Sequence, residues 1–580
     1  MNNLKRWLKY ASPYKSSFIL GPICMIVEVI GEVLMPLFLA EIINAGSNNT
    51  LTVEKSLIYA GLMVVTAVCM MLGGVGGAYF GAKASVNFAT DIRFDVYKKV
   101  QQFSFANIDK FSTGSLVTRL TNDVTQIQNF VNMLLRMCLR APGMIIGALI
   151  MAIKLQPTLA TVLAVTIPLM IITIIGIIRV GFPRFTRVQE KVDNLNSTVQ
   201  ESVTNVRVVK SFVREDYEID KFTTANADLK KAGISAYKVM IFMHPVMNLF
   251  MNITIAAVVW FGSKIVLSGS MATGDLSAFI SYVNQILMSL VMLTFVLMTS
   301  SRALASSRRI SQVLDEKLDL TDEFSKLKEA KVEKGEVEFK NVSFRYYKNS
   351  KEKVLNNVNL KIKAGSTVGI IGSTGCGKST LVSMIPRLYD VDEGEVFVDG
   401  INVKDYSLYN LREGVGMVLQ KNILFSGTIA DNLRWGDENA TDEQVIKVAK
   451  SAQASKFIDT FDGKYEYSID QGGANVSGGQ KQRLCIARAL LKKPKILILD
   501  DSTSAVDTAT EANIRKSFKT DLAESTKIII AQRISSIEEA DTIIVMNEGT
   551  ITGIGSHDEL LKNNTEYQEI YYSQTGKKEA

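Results

Sequence analysis

The sequence predicts a multidomain membrane protein: a six-helix transmembrane domain with long cytoplasmic helical extensions, followed by an α/β domain with a helical subdomain. Hydrophobic residues make up 47% of the 580 positions, and those before position 300 form runs that reach the ~20 residues needed to cross a bilayer. From position 336 the apolar runs are short and separated by polar segments, as in soluble α/β structure. We therefore expect a transmembrane domain at 1–314, a charged linker at 315–335 and a second domain at 336–580.

Six apolar segments are predicted to span the membrane, at 18–43, 57–80, 134–153, 159–178, 239–267 and 280–298. The connections near Asn48, Gln156 and Ser270 are short and carry few basic residues, whereas 81–133 and 180–238 are long, charged and helical in pattern. Because basic segments stay in the cytoplasm, we expect the N terminus and both long segments there. The net charge of +7 fits such membrane-flanking segments at least as well as nucleic acid.

Each long segment contains a break that suits a docking elbow. The run at 105–111 is interrupted by the Ser-Thr-Gly at 112–114, and the run at 207–215 mixes apolar and charged faces. We favour elbows that press on the second domain over simple cytoplasmic extensions of the spans.

Charged residues also lie in or near the spans. Glu28 and Glu32 are one helical turn apart and share a face of the first span. Intramembrane carboxylates are costly and usually face a cavity or a partner. A polar patch in a transport pathway and a helix-packing or gating contact both remain open. We expect Arg136 and Arg140, near the third span, to be interfacial.

The second domain carries a phosphate-binding loop between a buried strand at 368–372 and a helix. Its glycines let backbone N–H groups surround phosphate oxygens, and the dipole of the following helix favours their charge. Lys378 is expected to reach the β- and γ-phosphates, and Ser379 to bind Mg²⁺. The expected nucleotide contacts are Gly372, Ser373, Thr374, Gly375, Cys376, Gly377, Lys378, Ser379 and Thr380.

Asp500 ends the apolar strand 495–500 and is suited to hold Mg²⁺ through water or through Ser379. A lone strand-end aspartate is usually a turn or cap, but here the phosphate loop already predicts a nucleotide. The second domain is therefore predicted to be an α/β P-loop nucleotide-binding domain that takes ATP and Mg²⁺.

These ordered motifs resemble those of an ATP-binding cassette (ABC) exporter half-transporter, of the type IV fold found in bacterial multidrug exporters, over nearly the whole chain. The resemblance implies that the chain lies in the bacterial cytoplasmic membrane, with its N terminus and nucleotide domain in the cytoplasm. It implies the lipid bilayer as a partner and no nucleic acid. The segments 111–123 and 208–215 resemble exporter coupling segments.

The resemblance also implies roles for single residues. Tyr346 occupies the position that stacks on adenine, and Gln420 the position that approaches Mg²⁺ and the attacking water. The loop 504–507 matches the segment that links the two sites of a dimer. The family signature, which contacts the γ-phosphate of ATP held by the opposite subunit, corresponds to Ser477, Gly478, Gly479 and Gln480.

The sequence departs from the family pattern at two positions that take part in ATP hydrolysis. Asp501 stands where the family has its catalytic glutamate, and Gln532 stands where it has histidine. Aspartate is one methylene shorter, and a general base must come within about 2.6–3.2 Å of its water. Glutamine cannot supply a protonated imidazole. The candidate catalytic residues are therefore Asp501, Gln532 and Gln420, in a site specialised for slow hydrolysis.

Each site of a cassette dimer combines the phosphate loop of one subunit with the signature of the other. The resemblance therefore implies a heterodimer, whose partner is a second half-transporter with glutamate and histidine at the positions of Asp501 and Gln532. A homodimer would have two weakened sites.

The expected function is ATP-driven export of amphiphilic small molecules, drugs or lipids, by a transport ATPase. The alternatives are a regulatory or sensory membrane ATP-binding subunit with little transport, and a homodimeric lipid or peptide exporter. An importer is disfavoured because the two domains are fused in exporter order. The six spans exclude a soluble nucleic-acid ATPase.

Overall fold

The computed structural model describes residues 2–323, 325–347, 350, 352–501 and 506–575. The chain divides into two compact units. The first contains Met1–Gln101 and Thr113–Glu316, and the second contains Gln102–Ser112 and Lys317–Ala580. The first unit is helical and the second combines strands with helices, so the predicted fold class is confirmed.

Long helices build the first unit. Before the first strand the chain forms α1 (Asn2–Ala11), α2 (Lys15–Ser47), α3 (Val53–Gln101), α4 (Phe105–Lys110), α5 (Thr113–Thr118), α6 (Val124–Met137), α7 (Arg140–Leu155), α8 (Pro157–Thr204), α9 (Val206–Ser211), α10 (Glu215–Leu267) and α11 (Thr273–Asp315). Of these, α4 belongs to the second unit and the others to the first. Six stretches of the described chain are long and apolar enough to cross a membrane, in agreement with the six predicted spans.

The helix of the third span is broken near its beginning. The expected span 134–153 is divided, because α6 ends at Met137 and α7 begins at Arg140. Pro142 lies in the first turn of α7, and a proline has no N–H to continue a preceding helix. The break therefore follows from the local sequence.

An ion cluster joins α2 to α7 inside the first unit. Glu28 Oε1 lies 3.2 Å from Arg140 Nη1, and Arg140 Nη2 donates to Glu32 Oε1. Gln285 of α11 donates its amide to the backbone oxygen of Glu32 at 2.8 Å. The predicted interfacial position of Arg140 stays a prediction, and the structure adds that its guanidinium is the partner of both carboxylates. This pairing favours a helix-packing contact over a free polar patch.

Strands in the second unit form two main sheets. In chain order they are β1 (Val337–Phe344), β2 (Leu355–Ile362), β3 (Thr367–Gly372), β4 (Glu393–Val398), β5 (Ile401–Asn402), β6 (Val415–Val418), β7 (Gly427–Thr428), β8 (Ser468–Ile469), β9 (Ile496–Asp500), β10 (Thr526–Ile530), β11 (Thr542–Asn547) and β12 (Thr550–Gly555). A six-stranded sheet has the order β12-β11-β3-β10-β9-β6, and an antiparallel sheet has the order β2-β1-β4-β5. In the six-stranded sheet only β12 runs antiparallel. The carboxyl ends of β3, β9 and β10 therefore meet at one edge.

After β1, the described residues of the second unit form nine α-helices in addition to α4. They are α12 (Lys378–Ser383), α13 (Leu408–Glu413), α14 (Ile429–Arg434), α15 (Asp442–Ser451), α16 (Ser455–Ile458), α17 (Gly478–Leu491), α18 (Thr508–Asp521), α19 (His557–Asn563) and α20 (Thr565–Thr575). Helices α14 to α17 form the helical subdomain, whose buried residues belong to the same core as one face of the six-stranded sheet.

A single carboxylate fixes the start of the second unit's first sheet. The side chain of Asp399, in the turn after β4, accepts four backbone N–H groups, from residues 333–336, at 2.8–3.0 Å. Hydrogen bonds to an ionised group are stronger than neutral ones. Asp399 therefore holds the end of the linker against the sheet.

Replacement of Asp399 by alanine should lower the free energy of unfolding by about 2–3 kcal/mol. Asp399 has a φ of 51°, which asparagine tolerates better than alanine, so Asp399→Asn should cost about half as much. Thermal unfolding of the full-length chain measures both. Asp437, which accepts one N–H from its own turn, is the matched control. Equal loss for Asp437→Ala and Asp399→Ala would contradict this role.

Candidate nucleotide site

The loop between β3 and α12 requires glycine at two positions. Gly372 has a φ of 154°, and a Cβ there would lie 2.1 Å from the backbone oxygen of Met546 in β11. Gly377 has a φ of 97°, and its Cβ would lie 2.8 Å from the oxygen of Val354. The loop is thus shaped by close backbone approaches, which leave its N–H groups free of side chains.

Lys378 and Ser379 open α12 beside this loop. The ammonium of Lys378 donates to the backbone oxygens of Gly372 and Ser373 at 2.8 and 2.7 Å. Its charge is therefore held inside the loop. Cys376 is buried, with Sγ 3.7 Å from the same ammonium, so this thiol belongs to the wall of the loop.

A hydroxyl and a carboxylate meet where a divalent cation is expected. Ser379 Oγ donates to Asp500 Oδ1 at 2.8 Å, and Asp500 is buried at the end of β9. Burial raises the pKa of Asp500, and the hydrogen bond from Ser379 opposes that effect. Among the described residues no group of three His, Cys, Asp or Glu side chains is placed to hold a metal. One carboxylate and one hydroxyl fit Mg²⁺, which keeps several waters and phosphate oxygens as ligands.

The two departures from the family pattern contact each other. Gln532 Nε2 donates to Asp501 Oδ2 at 2.6 Å, and Gln420 also hydrogen-bonds the Asp501 side chain. Burial is the main cause that raises the pKa of Asp501, and these hydrogen bonds oppose it. The carboxylate that would activate water is therefore engaged by two amides, and position 532 supplies an amide in place of an imidazole.

These groups surround one cavity of about 470 Å³. The predicted residues that line it are Gly372, Ser373, Thr374, Gly375, Lys378, Ser379, Gln420, Asp500, Asp501 and Gln532. Predicted residues that do not line it are Tyr346, Cys376, Gly377, Thr380, Ser477, Gly478, Gly479 and Gln480. The first four of these lie on or beside the phosphate loop, whereas the last four belong to a different element.

The segment 477–480 forms the beginning of α17. Ser477 Oγ accepts the backbone N–H of Gln480 at 3.4 Å, and the Gln480 side chain accepts the Ser477 N–H at 2.9 Å. This capped helix end is exposed at Ser477 and Gly478, and it does not line the cavity around the chain's own phosphate loop.

Tyr346 belongs to an aromatic cluster in the second unit. Its hydroxyl lies 2.9 Å from Thr380 Oγ1, and its ring packs edge-on against that of Tyr389, with the ring centroids 5.2 Å apart. The ring centroids of Tyr389 and Phe105 of α4 are 5.9 Å apart, and the Tyr389 hydroxyl donates to Asp109 Oδ2 at 3.1 Å. Sequence reasoning missed Tyr389, since no local pattern distinguishes it from a core tyrosine. Of the predicted loop 504–507, residues 504 and 505 lie outside the described residues.

Comparison with known proteins agrees with this architecture. Residues 18–290 match the model of the ABC transporter transmembrane region, and residues 355–504 match that of the ABC transporter. The chain is 38% identical to the uncharacterized ABC transporter ATP-binding protein YfiB of Bacillus subtilis (strain 168), over 99% of each. It is 34% identical to the ATP-dependent lipid A-core flippase of Desulfotalea psychrophila, over 83% of this chain and 84% of that protein.

The fold has a close structural counterpart. A bacterial Atm1-family ABC exporter, solved with ATP bound, superposes with a TM-score of 0.80 at 24% identity and covers 97% of this chain and 99% of that one. Six apolar spans joined to a P-loop domain define a membrane transport ATPase. The chain belongs to the ABC transporter family, and it has the fold of an exporter half-transporter.

Proposed function

We propose that this chain is one half of a heterodimeric exporter that uses ATP to move amphiphilic small molecules, drugs or lipids, across the bacterial cytoplasmic membrane. The N terminus and nucleotide domain lie in the cytoplasm. The partner is a second half-transporter with glutamate and histidine at the positions of Asp501 and Gln532. A relative that is a lipid A-core flippase supports an amphiphilic cargo.

The chain's own site keeps the groups that bind nucleotide but lacks a well-placed base for its hydrolysis. Lys378 holds the phosphates, Ser379 and Asp500 hold Mg²⁺, and the Tyr346 ring supports the adenine. Gln420 and Gln532 engage Asp501 and leave it poorly placed to take a proton from water. This site therefore retains ATP and hydrolyses it slowly.

The observation that carries the proposal is the hydrogen bond between Gln532 and Asp501, 2.6 Å long, beside an otherwise complete phosphate loop. A site degraded by drift has no reason to keep Lys378 and the Ser379–Asp500 pair in working geometry. The exposed start of α17 at Ser477 and Gly478 supports the second half of the proposal, because the N–H groups of Gly478 and Gly479, in the first turn of the helix, have no intrahelical acceptor and can complete a partner's site.

ATP hydrolysis by the isolated full-length chain should be slow, and co-expression with the partner should raise it at least about tenfold, because only the partner's site carries a well-placed base. Steady-state ATPase measurements on both preparations test this. Rapid hydrolysis by the isolated chain that Lys378→Ala abolishes would contradict the heterodimer and favour a homodimeric exporter.

A transport assay separates export from the alternative of a regulatory or sensory subunit. Inside-out vesicles that contain the complex should accumulate an amphiphilic dye only when ATP and the partner are present. Dye accumulation that persists when the phosphate loops of both subunits are inactivated would count against the proposed export. So would the absence of dye accumulation by a complex that hydrolyses ATP.

A further inference from the structure

The last described helix, α20, reaches the loop that carries Gln532. In its final turn, Gln574 donates Nε2 to the backbone oxygen of Gln532 at 2.7 Å. Its Oε1 accepts the backbone N–H of Ile534 at 2.9 Å. One side-chain amide therefore bridges two backbone groups just beyond the end of β10, where the chain has left the sheet.

Helix α20 is itself anchored upstream of Gln574. Tyr567 is fully buried, and its hydroxyl lies 2.7 Å from His557 Nδ1. Glu566 accepts the side-chain amide of Asn547, at the end of β11, at 2.8 Å. Because Gln574 follows Tyr567 by seven positions, it lies on the same face of the helix. The face that is fixed to the domain core thus presents Gln574 to the loop.

The same helix forms one wall of the nucleotide cavity. Glu566, Glu569, Ile570 and Gln574 line it, together with residues of the phosphate loop and Asp501. A second contact holds the other end of the loop, where Arg515 of α18 donates to the Ser535 oxygen at 2.6 Å. The position of residue 532 therefore depends on groups far from it in sequence.

We propose that Gln574 is a positioning residue for ATP turnover at this site, which holds the loop so that the side chain at 532 faces position 501. Both of its hydrogen bonds go to the backbone, so they do not depend on which side chain stands at 532. Nucleotide affinity resides in the phosphate loop and Tyr346, which Gln574 does not contact in the described structure. Loss of Gln574 therefore lowers turnover more than affinity. This role does not depend on the partner or on the transported molecule.

The first test is made in the full-length Asp501→Glu/Gln532→His protein, whose turnover is fast enough to measure if the proposed function is right. Adding Gln574→Ala should lower kcat about fivefold and leave KM for ATP within about twofold. Gln574→Glu keeps an acceptor for the Ile534 N–H but cannot donate to the oxygen of residue 532. Its kcat should therefore fall between those of the parent and of Gln574→Ala. Gln568→Ala is the matched control, because Gln568 is on the same helix and its side-chain amide donates to the Leu561 oxygen at 2.8 Å, away from the loop that carries Gln532.

A second test needs no turnover. Amide hydrogen exchange in the otherwise unaltered full-length chain should become at least about tenfold faster at Ile534 in Gln574→Ala, because its N–H loses its acceptor. Exchange in β10 and the affinity for a fluorescent ATP analogue should not change. Unchanged exchange at Ile534 would overturn the proposal, even if the Asp501→Glu/Gln532→His protein proved inactive and the proposed function failed. Equal effects of Gln574→Ala and Gln568→Ala would also overturn it.

Discussion

Replacement of Asp501 by glutamate together with Gln532 by histidine should raise ATP hydrolysis by the purified full-length chain about 100-fold or more. A positioned general base contributes roughly 10²–10⁴-fold, and stabilisation of the transition-state charge adds to that. Glutamate extends the carboxylate by one methylene toward the cavity that Lys378 and Gln420 line. Histidine removes the amide that now donates to Asp501 Oδ2 at 2.6 Å and supplies an imidazole.

The two changes should act as a unit, as catalytic groups usually do. The fold-increase in ATP hydrolysis of each single variant is therefore expected to be smaller than the square root of the fold-increase of the double variant. Addition of Lys378→Ala should return hydrolysis to background. A double variant that binds ATP and is dimeric by light scattering, yet hydrolyses ATP no faster than the parent, would contradict the proposed cause of slow hydrolysis.

Replacement of Arg140 by alanine should severely reduce the yield of folded protein. Glu28 and Glu32 would then lie in the membrane region without their cation, and removing one partner of a buried ion pair costs about 3–5 kcal/mol. Thermal unfolding of the detergent-solubilised chain, followed by size-exclusion chromatography, measures the loss.

The charge balance can be tested separately from the packing. Arg140→Leu combined with Glu28→Gln and Glu32→Gln removes all three charges at similar volume, and it should recover most of the stability. Arg136, one turn before and beside Gly81 of α3, has no ion pair in the described structure, so Arg136→Ala should cost far less. If Arg140→Ala is as stable as the parent, the cluster is not a packing contact.

Local patterns predicted the parts of this protein that depend on neighbours in sequence. The phosphate loop was found because Gly372, Gly377 and Lys378 must follow one another at fixed spacing between a strand and a helix. The six spans were found because a bilayer demands a minimum apolar length. Both are confirmed by the fold, since each arises within one short stretch of chain.

Contacts between distant residues were missed. Arg140 and Glu32 are 108 positions apart, and Gln574 and Gln532 are 42 apart, so no periodicity connects either pair. Opposite charges in two apolar spans were a usable signal for Arg140, because intramembrane carboxylates seek a partner. Gln574 had no such signal, since a glutamine near the end of a polar helix is usually exposed.

The assembly also depends on long-range geometry. The structure gathers Lys378, Asp500 and Asp501 around one cavity, and Ser477–Gln480 do not line it. Local sequence supplied each motif, but it did not show that the two sets lie apart in the folded chain, and the proposed second subunit is what would bring such sets together.

Hydrolysis by the assembled complex, with one substitution at a time in this chain, tests the proposed asymmetry most directly. Ser477→Arg places a bulky side chain at the exposed start of α17 and should remove at least about nine-tenths of the complex's ATPase activity, because it blocks the partner's site. Asp501→Asn should leave that activity within about twofold, because this chain's own site contributes little. The opposite pattern, with activity lost in Asp501→Asn and retained in Ser477→Arg, would contradict the account.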